Sequence, residues 1–127
     1  MTMLDMLKDK GSAAGEDYVI VDLRRTDYEG GTIRGSLNLP AQSLYPTLPA
    51  LYSLFKAAKI RRVIWYCSSS RGRGTRAAGW FDDYLEDRKD EAMESLILVG
   101  GISGWARAGG EYVGWMDGYN ADAWGGK

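Results

Sequence analysis

The stretch Arg62-Val63-Ile64-Trp65-Tyr66-Cys67-Ser68-Ser69-Ser70-Arg71-Gly72-Arg73-Gly74-Thr75-Arg76 decides how this chain is read. A β-branched and aromatic run of strand length ends in the single cysteine of the protein. Small residues and arginines follow, and Ala77-Ala78-Gly79-Trp80-Phe81 then opens an amphipathic segment. Strand, small-residue loop and helix in that order predict an anion cradle. The N–H groups of a tight loop can converge on one point, and the unpaired donors of a helix N-terminus add to them. A thiolate at the mouth of the cradle would lie at the positive end of the helix dipole. Arg73 stands at Cys-x5-Arg spacing from Cys67, where its planar fork can hold two oxygens of a tetrahedral anion. The expected site is therefore a Cys67 nucleophile with Arg73. Ser68, Ser69, Ser70, Arg71, Gly72 and Gly74 form the loop around a small oxyanion. Arg71 and Arg76 either screen the site or are solvated charges at the helix start.

Working outward, the 127 residues suit one domain with one core. The formal net charge of −1 provides no global basic field for nucleic acid. No apolar run approaches the ~20 residues that span a bilayer. The start, Met1-Thr2-Met3-Leu4-Asp5-Met6-Leu7-Lys8, carries an early acid and no apolar block, unlike a secretory signal. One cysteine makes no internal disulfide, so a reducing, cytoplasmic setting is expected. Histidine is absent, which excludes a Cys-His pair, a Ser-His-Asp triad and a histidine-ligated metal. The available chemistry is thiolate, guanidinium, hydroxyl, carboxylate and backbone dipole.

Residues 3–9 have a short helical pattern, ended by Gly11. Tyr18-Val19-Ile20-Val21-Asp22-Leu23 reads as a buried parallel strand, and Ser36-Leu37-Asn38-Leu39-Pro40 as a second one. Between them, Gly30 to Ser36 is a turn-rich connection. Leu48, Leu51, Leu54, Phe55 and Ala58 recur at helical spacing, with Pro49 suited to a first turn. Trp80, Phe81, Tyr84 and Leu85 mark the helix after the cysteine loop. Ser95-Leu96-Ile97-Leu98-Val99 reads as a further buried strand, turned by Gly100-Gly101 into a short helix. This alternation predicts an α/β domain with a mostly parallel sheet. The tail from Glu111 to Lys127 holds Tyr112, Trp115, Met116, Tyr119 and Trp124, and is expected to pack back on the domain.

Three stretches together resemble a single rhodanese-type domain. Asp22-Leu23-Arg24, followed by Gly31-Thr32-Ile33-Arg34-Gly35-Ser36, is similar to the N-terminal signature of that family, with Thr32 in place of its usual histidine. The cysteine loop follows the central strand. Gly100-Gly101-Ile102-Ser103-Gly104-Trp105 resembles the C-terminal signature, so the likeness covers residues 17–109. It implies a rhodanese-like fold, a parallel sheet with helices on both faces and the active loop at its carboxyl end.

The resemblance also implies a fork. Sulfurtransferase members have Cys-x4-Arg or Cys-x4-Lys, whereas dual-specificity phosphatases and yeast-type arsenate reductases have a loop one residue longer. Cys67 and Arg73 match the longer class, and Arg73-Gly74 resembles the Arg-Gly-Pro of the arsenate reductases with Thr75 for proline. Tyr66 instead matches many sulfurtransferases, and Gly72 stands where the phosphatase loop often has glutamate. Loop length favours an arsenate reductase or phosphatase type of enzyme. With no second cysteine, an arsenic adduct would need an external thiol such as glutathione or a glutaredoxin, and no other cofactor is expected. The rivals are a thiosulfate sulfurtransferase working through a Cys67 persulfide, and a regulatory or redox-sensing module. Asp22 and Arg24 are expected to tie strand ends together. Asp27 and Glu29 are candidate acids that no spacing places near Cys67.

Overall fold

The computed structural model describes residues 2–9 and 15–124. Its strands are β1 (Tyr18–Asp22), β2 (Thr32–Ile33), β3 (Ser36–Asn38), β4 (Arg62–Tyr66), β5 (Glu94–Ile97) and β6 (Met116–Asp117). Its helices are α1 (Met3–Lys8), α2 (Leu48–Ala57), α3 (Arg73–Asp87), α4 (Gly101–Ala108) and α5 (Gly110–Gly114). Four strands make a parallel sheet in the order β3-β1-β4-β5, and β2 pairs antiparallel with β6 beside it.

The apolar runs of β1 and β4 are continuous because both faces of the sheet are covered. Val19, Val21, Val63 and Trp65 face Leu48, Tyr52 and Phe55 of α2, and Ala77, Phe81 and Leu85 of α3. Alternate residues, Tyr18, Ile20, Ile64 and Tyr66, face Met6, Ile102, Trp105 and Met116. Parity therefore sends Tyr66 to one layer and Cys67 to the other. β1 and β4 are the two central strands, so the loop after β4 leaves the middle of the sheet at its carboxyl end, where open α/β sheets bind ligands.

Several boundaries differ from the sequence-based expectation. α3 begins at Arg73 rather than Ala77, because its first turn faces the cysteine loop and lacks the apolar periodicity of the later turns. The strand expected over 95–99 is β5, which stops at Ile97; Val99 is 87% exposed. It is an edge strand rather than a buried one, since only β4 flanks it and β4 itself ends at Tyr66. The second strand shortens to Ser36–Asn38, and Thr32–Ile33, read as turn, becomes β2. Pro49 does lie in the first turn of α2. Gly11 and residues 125–127 lie outside the described residues.

The aromatic segment after α4 returns to the sheet. Met116 is buried, the Trp105 indole donates to the Tyr112 carbonyl at 2.7 Å, and the Trp124 indole donates to the Gly30 carbonyl at 2.9 Å. That last bond places Trp124 against the loop that joins β1 to β2.

Candidate functional site

Cys67 is buried directly after β4, and its sulfur accepts two backbone amides, Ser70 N–H at 3.1 Å and Gly74 N–H at 3.4 Å. Both donors belong to the loop and the first turn of α3. Gly72 caps α3 with no side-chain hydrogen bond, and the first turn of the helix contains no acidic residue. Ser70 completes the turn. It is buried with φ at +63°, a left-handed conformation costing roughly 1 kcal/mol, and its carbonyl is secured by the Thr75 hydroxyl at 2.8 Å. Gly74 approaches so closely that a Cβ there would lie 3.1 Å from the Ser70 Cβ.

A second helix sets the carbonyls of the same loop. At the start of α4, Ile102 N–H donates to the Cys67 carbonyl at 3.1 Å, and Ser103 N–H to the Ser68 carbonyl at 2.9 Å. With their oxygens drawn toward α4, these peptides turn no negative end into the cradle. Gly101 permits the contact: it has φ at +60°, and a Cβ would lie 2.5 Å from both carbonyl oxygens. The Gly100-Gly101 signature thus supports the cysteine loop from beneath, a role that periodicity does not reveal.

Arg73, the first residue of α3, offers its two terminal nitrogens to the carboxylate of Asp27, NH1 to Oδ1 at 2.9 Å and NH2 to Oδ2. The guanidinium is held in its charged form chiefly by these bonds, and in smaller part by the Cys67 sulfur beside it. Asp27 also accepts from the Ser68 hydroxyl at 2.8 Å and from Arg25 N–H at 3.1 Å. Arg73 above all, then Ser68 and Arg25, hold its carboxyl well below the usual carboxylate range despite partial desolvation. The structure thus puts Asp27 at the cysteine loop, where no sequence spacing placed it. Ser69, Arg71 and Gly72 sit exposed on the rim, and Arg76 is exposed on α3.

The loop carrying Asp27 is itself anchored by a buried pair. Arg24 donates to Asp22 through Nε and NH2, the latter at 2.7 Å, and to the carbonyls of Glu29 at 2.9 Å and Gly31 at 2.7 Å. Both side chains are essentially inaccessible, so every donor must find a partner indoors. Asp22 and Arg24 thus tie the end of β1 to residues 29–31. A cavity of about 350 Å³ opens beside the cysteine loop, with Asp27, Ser68, Ser103 and Arg107 among the residues of its wall.

Two of the positions that depart from the resembling pattern, Thr32 and Tyr66, touch each other. The Tyr66 hydroxyl lies 2.7 Å from Thr32 Oγ1, 2.9 Å from Ser36 Oγ, and accepts from Ile33 N–H at 3.2 Å. Thr32 in turn donates to Asp22 at 2.9 Å. Burial first, and the Asp22 charge second, push the Tyr66 phenol above its ordinary range, so it is a neutral structural hydroxyl. Tyr66 points into the layer opposite Cys67 and completes the Asp22–Arg24 cluster.

Comparison with known proteins agrees with this fold. A family model described as Rhodanese-like domain matches residues 3–108. Arsenical-resistance protein 2 of Saccharomyces cerevisiae is 31% identical, over 71% of this chain and 75% of that protein. Dual specificity phosphatase ibp1 of Schizosaccharomyces pombe is 29% identical, over 89% and 92%. Among solved structures, Ygr203w, a yeast protein tyrosine phosphatase of the rhodanese family, superposes with a TM-score of 0.72 at 29% identity, covering 85% of this chain and 81% of that one. The As-Sb reductase of Leishmania major superposes with a TM-score of 0.74, covering 90% and 79%; at 21% identity that likeness is one of fold.

Proposed function

The chain belongs to the rhodanese-like family, and we propose that it is an enzyme whose Cys67 thiolate attacks a small tetrahedral oxyanion held by the 68–74 loop and Arg73. One observation carries this reading: the Cys67 sulfur accepts one amide from the loop and one from the first turn of α3, next to a charged guanidinium. Donors fixed before the reaction stabilise negative charge without reorganising, which is the most effective use of a dipole in a site. The names of the relatives, an arsenical-resistance protein and a dual specificity phosphatase, support an arsenate or a phosphoryl group as substrate.

The two substrates make different demands. A phosphoester needs a proton for its leaving alkoxide. Asp27 lies nearby, but Arg73 keeps it ionised, so it is a poor donor. Arsenate has no alkoxide to expel, and the site as built suits it better. Cys67 would displace one oxygen of arsenate as water, giving a cysteinyl–arsenic(V) adduct. Two external thiols, oxidised to a disulfide, supply the two electrons that release arsenic(III); glutathione or a glutaredoxin fits that need, since the chain has no second cysteine. Tyr66, the residue that spoke for sulfur transfer, is engaged in the layer opposite Cys67 and takes no part in the cradle.

The test is three parallel assays on the purified chain: arsenate with glutathione, an aryl phosphate, and thiosulfate with cyanide. Turnover of arsenate, abolished in Cys67→Ser, is the expected result. Turnover of thiosulfate alone overturns the reading.

A further inference from the structure

The Asp27 carboxylate sits where an anion site would ordinarily exclude negative charge. It occupies the end of the Arg73 fork, so an oxyanion received by the remaining edge of that guanidinium would stand beside a fixed carboxylate. The four lone-pair positions of Asp27 are filled by NH1 and NH2 of Arg73, Arg25 N–H and the Ser68 hydroxyl. The bond from Ser68 has a consequence for the ligand. A hydroxyl has one proton, and Ser68 gives that proton to Asp27, so a ligand beside it would meet only lone pairs. Ser68 is the first residue after Cys67, half-buried, and shares a cavity wall with Asp27. Its carbonyl is fixed by Ser103 N–H at 2.9 Å, which anchors the peptide that follows it.

An acceptor and a negative charge at the edge of an oxyanion site read whether the ligand still carries a proton. We propose that Asp27, acting through Ser68, makes the cradle select oxyanions that retain a hydroxyl, such as arsenate and inorganic phosphate, over those that have none, such as sulfate and thiosulfate. A retained O–H donates to Ser68 and relieves the repulsion. A fully deprotonated anion meets lone pair against lone pair, a repulsive element of the kind that specificity requires. This inference rests on the oxyanion reading above and names the feature that sorts its substrates. Arg73 supplies the attraction, and Asp27 is a positioning residue that decides which anions benefit from it.

Calorimetry on the Cys67→Ser chain, in which nothing turns over, tests the proposal with inorganic phosphate and sulfate at neutral pH and matched ionic strength. Phosphate should bind about tenfold or more tighter than sulfate, the scale of one charge-assisted hydrogen bond made or refused. Adding Asp27→Asn removes the charge and frees the Ser68 proton, so sulfate should gain and the preference should fall to near parity. Adding Ser68→Ala removes the opposing acceptor, so phosphate should weaken and sulfate should gain; it carries the test if circular dichroism shows the Asp27 variant unfolded. Equal affinities in the parent, or a preference that survives in a folded Asp27→Asn variant, overturn this proposal alone. If neither anion binds, the oxyanion reading falls with it.

Discussion

Two arginine–aspartate pairs, Arg24–Asp22 and Arg73–Asp27, join the same functional groups by two-point contacts, the first through Nε and NH2 and the second through NH1 and NH2. They differ in access to water. The side chains of Arg24 and Asp22 are 1% and 0% exposed, against 26% and 39% for Arg73 and Asp27. In the first pair the guanidinium also donates to two backbone carbonyls, so exchange of partners would strand a charge indoors. The second pair can rearrange at the cost of a partly wet contact. Burial thus turns one pair into scaffold and leaves the other available for ligand chemistry. The scaffold pair also holds the carbonyls of Glu29 and Gly31, and so fixes the loop on which Asp27 sits.

This contrast is broken most severely by Arg24→Ala. The uncompensated Asp22 charge should cost about 3–5 kcal/mol in urea denaturation, a large share of the stability of a domain this size. A loss under about 1 kcal/mol would make the buried pair no more structural than the exposed one. Deleting Ser69 is next in size. It converts Cys-x5-Arg to Cys-x4-Arg, draws Arg73 off Asp27, and should remove most oxyanion turnover while circular dichroism shows the fold retained. Full activity in the folded deletant would show that loop length is not what sizes the cradle.

Arg73→Lys sharpens the contrast from the other side. An ammonium lacks the planar fork, so sulfate or phosphate affinity by calorimetry should fall about tenfold, with stability changed by less than about 1 kcal/mol. The smallest effect concerns acid. The Asp27 carboxyl is depressed in the folded protein, chiefly by Arg73, so its contribution to stability is present above the unfolded value of about 3.9 and is lost as pH falls through the lower folded value. Wild type and Asp27→Asn should therefore converge in thermal stability as the pH is lowered below about 4. A gap that widens on acidification contradicts the ion pair.

Much of this could be read from local order in the chain. Continuous apolar runs at Tyr18–Asp22 and Arg62–Tyr66 announce strands covered on both sides, because period-2 geometry sends neighbours to opposite faces and both are filled here. The loop between Cys67 and Arg73 is likewise local: its length, its small residues and the arginine at its end are covalent facts. Edge strands were less legible. The run 95–99 reads as a buried strand because Leu96, Leu98 and Val99 are apolar, but β5 stops at Ile97 and Val99, past its end, lies in water.

Composition and short spacing establish a lone thiol, a histidine-free chemistry and the length of the loop from Cys67 to Arg73, since none of these needs a partner in space. Only the tertiary structure decided what surrounds that cradle. Asp27 meets Arg73 across 46 residues, and the amides of Ile102 and Ser103 reach the carbonyls of Cys67 and Ser68 from another helix. Thr32 and Tyr66, 34 residues apart, complete one hydrogen-bonded cluster on the face away from the thiol. Such contacts follow from the order β3-β1-β4-β5 and from which side each crossover takes. They leave no periodic trace, because each one joins a single pair of residues and periodicity records only the faces that elements repeat.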